Sequence, residues 1–460
     1  MISAAEAGPG AAVPVRFAGE AGLAGELERA GGGAARLAAD AGFKGKRGQV
    51  LVLNGAEGAP RLVLAGLGKP PFDAMAARPL PAKLPAGDYA VEAPPEGIDE
   101  ARLALGFALG SYGFDRYKPK AEPKRVRLAV ASEAALAEAR RIGHACALAR
   151  DMVNTPANDM GPLQLETVAR EIAEQYGAQI EVTVGDELLE AGYPAVHAVG
   201  RAAGAGRAPR MIEIAWGEAG PVVAVVGKGV VFDTGGLDIK TSSGMRLMKK
   251  DMGGAAHALA LGRMIMDAGL PVRLKVLVPA VENAISGEAM RPGDVLRTRK
   301  GLTVEVGNTD AEGRLILADA LARAAEHEPE LTVDLATLTG AARVALGPQV
   351  VPCYTDDDEV WRGLEAAARE VSDPLWRMPL WPGYAEAVES EIADLRNDGD
   401  AWAQAGSITA ALFLKRFAPE RGWIHFDIFA WNPKGRPGWP VGAEAQAIRA
   451  LYAWIKGRYG

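Results

Sequence analysis

Cysteine is nearly missing from this 460-residue sequence, which has only Cys146 and Cys353. Two thiols can build neither a disulfide framework nor a cysteine zinc cluster, and their scarcity fits a reducing cytoplasm. Histidine is almost as scarce: the five are His144, His197, His257, His327 and His425, and none falls in HExxH or pairs with a serine or cysteine motif. That excludes zincin and serine-hydrolase chemistry and removes histidine as the expected general base. No stretch reaches the roughly 18 uninterrupted apolar residues of a membrane span. Residues 1–40 are rich in Ala and Gly and lack the basic segment and long apolar run of a secretory signal. A cytoplasmic protein with no membrane partner is expected. An excess of positive charge is missing too: 51 Lys and Arg stand against 58 Asp and Glu, a formal charge of −7, which argues against general affinity for nucleic acid.

What is present is the composition of an ordinary globular protein, 49% hydrophobic and 24% charged. At this length two domains are expected. In the first part, Val50–Leu53 and Arg61–Leu64 read as strands, and Leu23–Ala39 and Ala101–Tyr112 as helices, the first broken by Gly31, Gly32 and Gly33. Together they predict a small α/β domain over 1–130. The run from Tyr117 to Arg127 holds five basic residues and two prolines and reads as a solvated linker. Ser132–Val153 follows as an amphipathic helix ended by Asn154, Thr155 and Pro156, so 131–155 is a linker and the second domain runs over 156–460. There strands and helices alternate: helix Leu165–Tyr176, strands Ile180–Val184, Met211–Trp216 and Val222–Val226, helix Met245–Ala268, and strands Val272–Ala280 and Leu331–Leu335. This pattern predicts α/β architecture with a central mixed, largely parallel sheet flanked by helices, and ligands at the carboxyl ends of its strands.

The chemistry concentrates in two stretches. From Gly227 to Gly254, Lys228, Asp233, Lys240 and Asp251 stand among seven glycines directly after an apolar strand. Glycines allow sharp bends, so ionic side chains at odd spacings can converge. From Asn308 to Leu315 the chain reads NTDAEGRL, and an extended course would point Asp310, Glu312 and Arg314 to one side. Isolated surface ion pairs are the ordinary reading of each such residue. The combination argues otherwise, because four carboxylates near apolar strands need cations, and a pair of divalent ions is the usual hydrolytic arrangement. Lys228, beside such ions, could lose its proton and act as a neutral ligand, which arginine cannot do.

The segments VGKGVVFDTGG, KKDMGGAA and NTDAEGRL, in that order, resemble the metal-site pattern of the leucyl aminopeptidase family. The resemblance is good over roughly 145–430 and implies a macro-like N-terminal domain and a catalytic domain. It implies an aminopeptidase that releases N-terminal residues from peptides with a free amino end, through a bridging water at two metals, Zn or Mn and possibly Mg. Lys228, Asp233, Asp251, Asp310 and Glu312 would be the ligands, with Asp233 and Glu312 bridging. Lys240 would stabilise the tetrahedral intermediate and Arg314 would hold bicarbonate. Met248, Asn308, Thr337 and Gly340 match substrate-pocket positions, with Met248 and Gly340 implying an apolar, Leu-like first residue. The family also implies a homohexamer. From Phe429 to Ala445 the sequence FAWNPKGRPGWPVGAEA departs from the Gly- and Thr-rich loop that helps line the family's side-chain pocket. A DNA-binding or scaffold protein that has kept the fold is the competing reading; it has no need for Lys240 or Arg314.

Overall fold

The structure, a computed structural model, describes residues 4–5, 12–118, 124–399 and 404–460. It divides into two compact units, Met1–Ala147 with Pro433–Val441, and Leu148–Asn432 with Gly442–Gly460. The sequence pattern predicts a linker over 131–155. The observed division falls between Ala147 and Leu148, inside the unbroken helix Glu133–Asn154. Helical periodicity carries no mark of such a division.

The first unit holds a six-stranded sheet in the order Ala4–Ala5, Val126–Ala129, Gly87–Val91, Val13–Gly19, Pro60–Gly68, Val50–Asn54, with only the last pair antiparallel. Val15, Val63, Leu80, Tyr89 and Phe107 form its core. The helix expected over Leu23–Ala39 is two, Leu23–Ala30 and Ala34–Asp40, because Gly31, Gly32 and Gly33 take φ of 60°, 54° and 79°. Residues 433–441 belong here because Trp439 lies under the guanidinium groups of Arg436 and Arg78, 4.0 and 4.3 Å from the ring centroid, and Arg78 Nε donates to Gly438 O at 2.8 Å. Part of the basic run from Tyr117 to Arg127, residues 119–123, lies outside the described residues. Arg127 within it pairs with Asp88 across the sheet.

The second unit is built on a nine-stranded sheet. We label its strands β1 (Gln179–Val184), β2 (Arg210–Trp216), β3 (Val222–Gly227), β4 (Gly229–Asp233), β5 (Arg273–Asn283), β6 (Leu331–Ala336), β7 (Val351–Tyr354), β8 (Leu375–Arg377) and β9 (Trp423–Asp427). The order is β8-β7-β9-β6-β3-β5-β2-β1, with β4 on β5. Strands β9, β6, β3, β5 and β4 are mutually parallel, while β7–β9, β2–β5 and β1–β2 pair antiparallel. Central β3 and β6 are apolar at most positions and fully buried, as strands covered on both faces must be. Two helices on the central strands carry the rest of the core: α1 (Gly253–Asp267) and α2 (Glu312–Ala325). The sheet is mixed, largely parallel and flanked by helices, as expected. No helix among the described residues is long and apolar enough to cross a membrane.

Two local expectations fail. The helix expected from Met245 starts only at Gly253, after a short helical turn Ser242–Met245 and a 3-10 turn Met248–Lys250. Gly254 sits so close to the sheet that a Cβ there would lie 2.1 Å from Leu335 O, so the chain approaches the strands as a turn before it can wind. The extended course expected through Asp310, Glu312 and Arg314 is instead a turn followed by the first residues of α2, which begins at Glu312.

Candidate active site

Parallel strands end together, and here their carboxyl ends deliver the charged residues to one place. Lys228 follows β3, Asp233 ends β4, Thr337 follows β6 and Asp427 ends β9. They open into a cavity of about 630 Å³. Every residue singled out from the sequence lines it: Lys228, Asp233, Lys240, Met248, Asp251, Asn308, Asp310, Glu312, Arg314, Thr337 and Gly340.

Close packing of glycine on backbone makes this convergence possible. Lys228 N donates to Leu335 O at 3.0 Å and Lys228 O accepts from Ala255 N at 2.8 Å, so strand, loop and α1 are pinned at one residue. A Cβ on Gly227 would stand 2.6 Å from Gly254 O. A second tie joins the two sequence motifs: Asp238 Oδ2 accepts from Thr309 N, and Thr309 Oγ1 accepts from Asp238 N, both at 2.8 Å. Asn397 braces the turn from below, accepting from Gly307 N and donating to Asn308 O at 2.7 Å.

Carboxylate oxygens of Asp233, Asp310 and Glu312 come within 4.8 Å of one another. Asp233 Oδ1 accepts from Gly235 N and Asn283 Nδ2, both at 2.8 Å, which leaves Oδ2 facing Lys240 Nζ at 2.9 Å. Asp251 Oδ2 lies 2.6 Å from Lys228 Nζ, and its Oδ1 accepts from Thr337 Oγ1 at 2.9 Å. Lys228 Nζ also stands 3.0 Å from Glu312 Oε1, and Lys240 also contacts Asp310. Glu312 Oε2 is buried with no hydrogen-bond partner among the described residues.

The electrostatics show a site short of positive charge. Burial first, and then the charge of Asp233, push the Glu312 carboxyl up to about 8 and that of Asp310 up to about 6. Burial works against the charge of Lys228, but Asp251, Glu312 and Asp233 outweigh it and raise its pKa. For Asp251, burial opposes ionisation, and Lys228 and Lys250 reverse the balance and lower its pKa. Lys228 and Lys240, with the more distant Lys250, thus neutralise four carboxylates only in part, and the donor set of hard oxygens with an open Glu312 Oε2 suits divalent cations.

Arg314 differs. It is 8% exposed, and its Nε and Nη1 are buried without a hydrogen-bond partner among the described residues. Burial lowers its pKa to about 10, against the pull of Asp398, Glu312 and Asp427. An orphaned buried donor costs about 1–3 kcal/mol, more when charged, so an anion fits there. None of the five histidines lines the cavity. His257 is buried, its Nδ1 on Gly253 O at 2.6 Å and its Nε2 accepting from Gln446 N at 3.0 Å.

The family model described as cytosol aminopeptidase family, catalytic domain, matches residues 147–452, and the model for the M17 aminopeptidase N-terminal domain matches 13–131. The chain belongs to the cytosol aminopeptidase family. It is a metal-dependent aminopeptidase, a hydrolase. It is 40% identical to a probable cytosol aminopeptidase of Syntrophotalea carbinolica, over 93% of this chain and 92% of that protein. The cytosol aminopeptidase of Coxiella burnetii superposes with a TM-score of 0.93 at 42% identity, covering 99% of each chain. The bottromycin maturation enzyme BotP in complex with Mn gives 0.88 at 33% identity, covering 97% of this chain and 99% of that one.

Sequence reasoning missed several residues of this cytosol aminopeptidase-family site. Asn283 holds the Asp233 carboxylate and Asn397 braces the turn before Asp310, yet an isolated Asn carries no signal of that role. Asp427 Oδ1 accepts from Leu338 N and Thr339 N at 3.0 and 3.1 Å and so holds the start of helix α3 (Gly340–Leu346) at the cavity. Lys250, Arg343 and Phe429 also line the cavity. Of these, Lys250 was legible, since it stands between Lys249 and Asp251 inside a quoted motif. Two expected pocket residues turn out to hold backbone or ligand as well: Thr337 binds Asp251, and Asn308 Oδ1 accepts from Asp310 N at 2.8 Å.

Proposed function

We propose that this aminopeptidase works through two divalent ions held by Lys228, Asp233, Asp251, Asp310 and Glu312. The observation that carries the reading is the approach of the Asp233, Asp310 and Glu312 carboxylates to within 4.8 Å, in a cavity that leaves Glu312 Oε2 unpartnered. Bound there, zinc, manganese or magnesium would supply Lewis acidity toward the scissile carbonyl and a water made nucleophilic at neutral pH. BotP, a relative at 33% identity, is described in complex with Mn.

The chain's own residues supply the rest. Lys240, 15% exposed at its side chain, sits where it can turn from Asp233 toward the carbonyl oxygen and stabilise the charge that develops on it. Arg314 offers two free donors to a small planar oxyanion, and bicarbonate held there would take up the proton that no histidine is placed to accept. The substrate is a peptide with a free N-terminus. Met248 and Gly340 favour an apolar, Leu-like first residue, while Lys250 on the same cavity wall favours a charged one. The charge is the stronger discriminator, because a buried ammonium left facing an apolar group costs more than a methylene contact gains. The family resemblance supports a cytoplasmic homohexamer, and the exposed Trp376 and Trp381 supply apolar area for such contacts.

The test is release of amino acids from a panel of aminoacyl-amides, with and without added manganese. Release from free amines and not from N-acetylated amides is expected. No release from any amide, with metal supplied, would overturn the reading.

A further inference from the structure

Lys250 is an anomaly in the cavity. It is 5% exposed, lines the space, and has no hydrogen bond among the described residues. The nearest carboxylate oxygen, Asp251 Oδ1, is 3.8 Å away and already accepts from Thr337. Asp251 has a closer counter-ion in Lys228 at 2.6 Å, so Lys250 is the more distant of its two cations. A buried ammonium with no close partner is expensive, and such groups are kept where something else supplies the negative charge.

What surrounds Lys250 is consistent with an anion-receiving wall. Its Nζ lies 5.5 Å from the centroid of the Phe429 ring, and the guanidinium of Arg343 lies 4.6 Å from the same ring. Arg343 also lines the cavity, is exposed at its rim, and has no ion pair or side-chain hydrogen bond among the described residues. The wall is built, not incidental. Gln446 Oε1 accepts from Phe429 N and Ala430 N at 3.1 and 2.8 Å, and Ala430 takes a φ of 55°, a left-handed conformation that non-glycine residues avoid. The arrangement places one cation at the mouth and one in depth, with an aromatic face between them. Met248, two residues from Lys250, and Gly340 are the apolar and open positions nearest the expected side-chain pocket among the residues that line the cavity.

We infer that Lys250 and Arg343 bind a substrate carboxylate, the side chain of an N-terminal aspartate or glutamate, so that the enzyme selects acidic first residues. The inference rests on the aminopeptidase reading and deepens it. An ammonium in depth and a guanidinium at the rim match the two positions an incoming carboxylate passes. Phe429 presents its ring to both cations. The other source of a carboxylate is the C-terminus of a short peptide. It is less favoured, because Lys250 shares its turn with Met248, at a side-chain-pocket position.

The experiment ranks kcat/KM of the metal-loaded full-length enzyme on glutamyl-, aspartyl-, glutaminyl- and leucyl-amides, which have no C-terminal carboxylate. Glutamyl-amide is expected to exceed its isostere glutaminyl-amide by about tenfold or more. Lys250→Met should bring that ratio close to one, and Arg343→Met, a change at an exposed position, should lower it several-fold. Equal rates on glutamyl- and glutaminyl-amide, or a leucyl preference, would overturn the inference while leaving the aminopeptidase reading standing; no hydrolysis of any amide would remove both. A second arm compares leucyl dipeptides with free and amidated C-termini. A preference for the free acid that Lys250→Met abolishes would assign the wall to the C-terminus and overturn the side-chain assignment.

Discussion

Lys228 and Lys240 are both lysines among carboxylates, yet their surroundings divide the work between them. Lys228 is 2% exposed and locked between Asp251 and Glu312, whereas the Lys240 side chain is 15% exposed and reaches Asp233 from the open side. Only the second is free to follow a developing charge. Lys240→Ala is expected to lower kcat by roughly 10² to 10³ with KM and metal content nearly unchanged. Elemental analysis decides the point, since a variant that loses metal would make Lys240 a structural residue. Arg314 is the second test at this scale. Its Nε and Nη1 have no hydrogen-bond partner among the described residues, which favours a bound oxyanion over a simple ion pair with a carboxylate. In carbonate-depleted buffer, added bicarbonate should accelerate the wild type, and Arg314→Ala should be slower and insensitive. An equal response in both proteins would leave the proton acceptor unassigned.

The elements that carry the site meet closer than side chains normally allow. Gly313 occupies the first turn of α2, where Ala would ordinarily be the better residue by about 0.5–1 kcal/mol. Yet a Cβ at Gly313 would fall 2.2 Å from Lys228 Cε and 2.8 Å from its Nζ. Gly313→Ala is therefore expected to displace Lys228, with loss of bound metal and activity, despite the gain in helix propensity. A variant that melts higher and keeps its metal would show that Lys228 can yield. The same closeness explains why α1 begins at Gly253 and not at Met245: Gly253 and Gly254 let the chain pass against Ala430 and the end of β6 before the helix starts.

Over the whole molecule, the second unit gathers its ionic groups at one end of a sheet whose central strands are otherwise apolar. Four carboxylates held there with partial neutralisation oppose folding, and bound cations relieve that. Metal at 100 times its dissociation constant would add about 2.7 kcal/mol. We expect about two divalent ions per chain in active protein, and a lower melting temperature after chelation that manganese restores. Elemental analysis without stoichiometric metal, or melting curves that coincide with and without chelator, would count against the two-ion site.

By itself, the sequence determined the α/β class, the strand leading into the glycine-rich loop, and the charged residues of the two motifs that line the cavity. These are local properties: apolar runs, glycines at sharp bends, and short motifs whose order along the chain is intact. Only the tertiary structure decided how those residues face one another. Alternation along an extended chain suggested that Asp310, Glu312 and Arg314 share a side, but packing of α2 against Lys228 makes them a turn and a helix start. The inclusion of Pro433–Val441 in the first unit depends on Trp439 meeting arginines hundreds of residues away, Arg47 and Arg78. Lys250 was visible as one more basic residue beside a ligand. That it is buried, without a hydrogen bond among the described residues and set against Phe429 depends on contacts between segments distant in the chain, which no local pattern encodes.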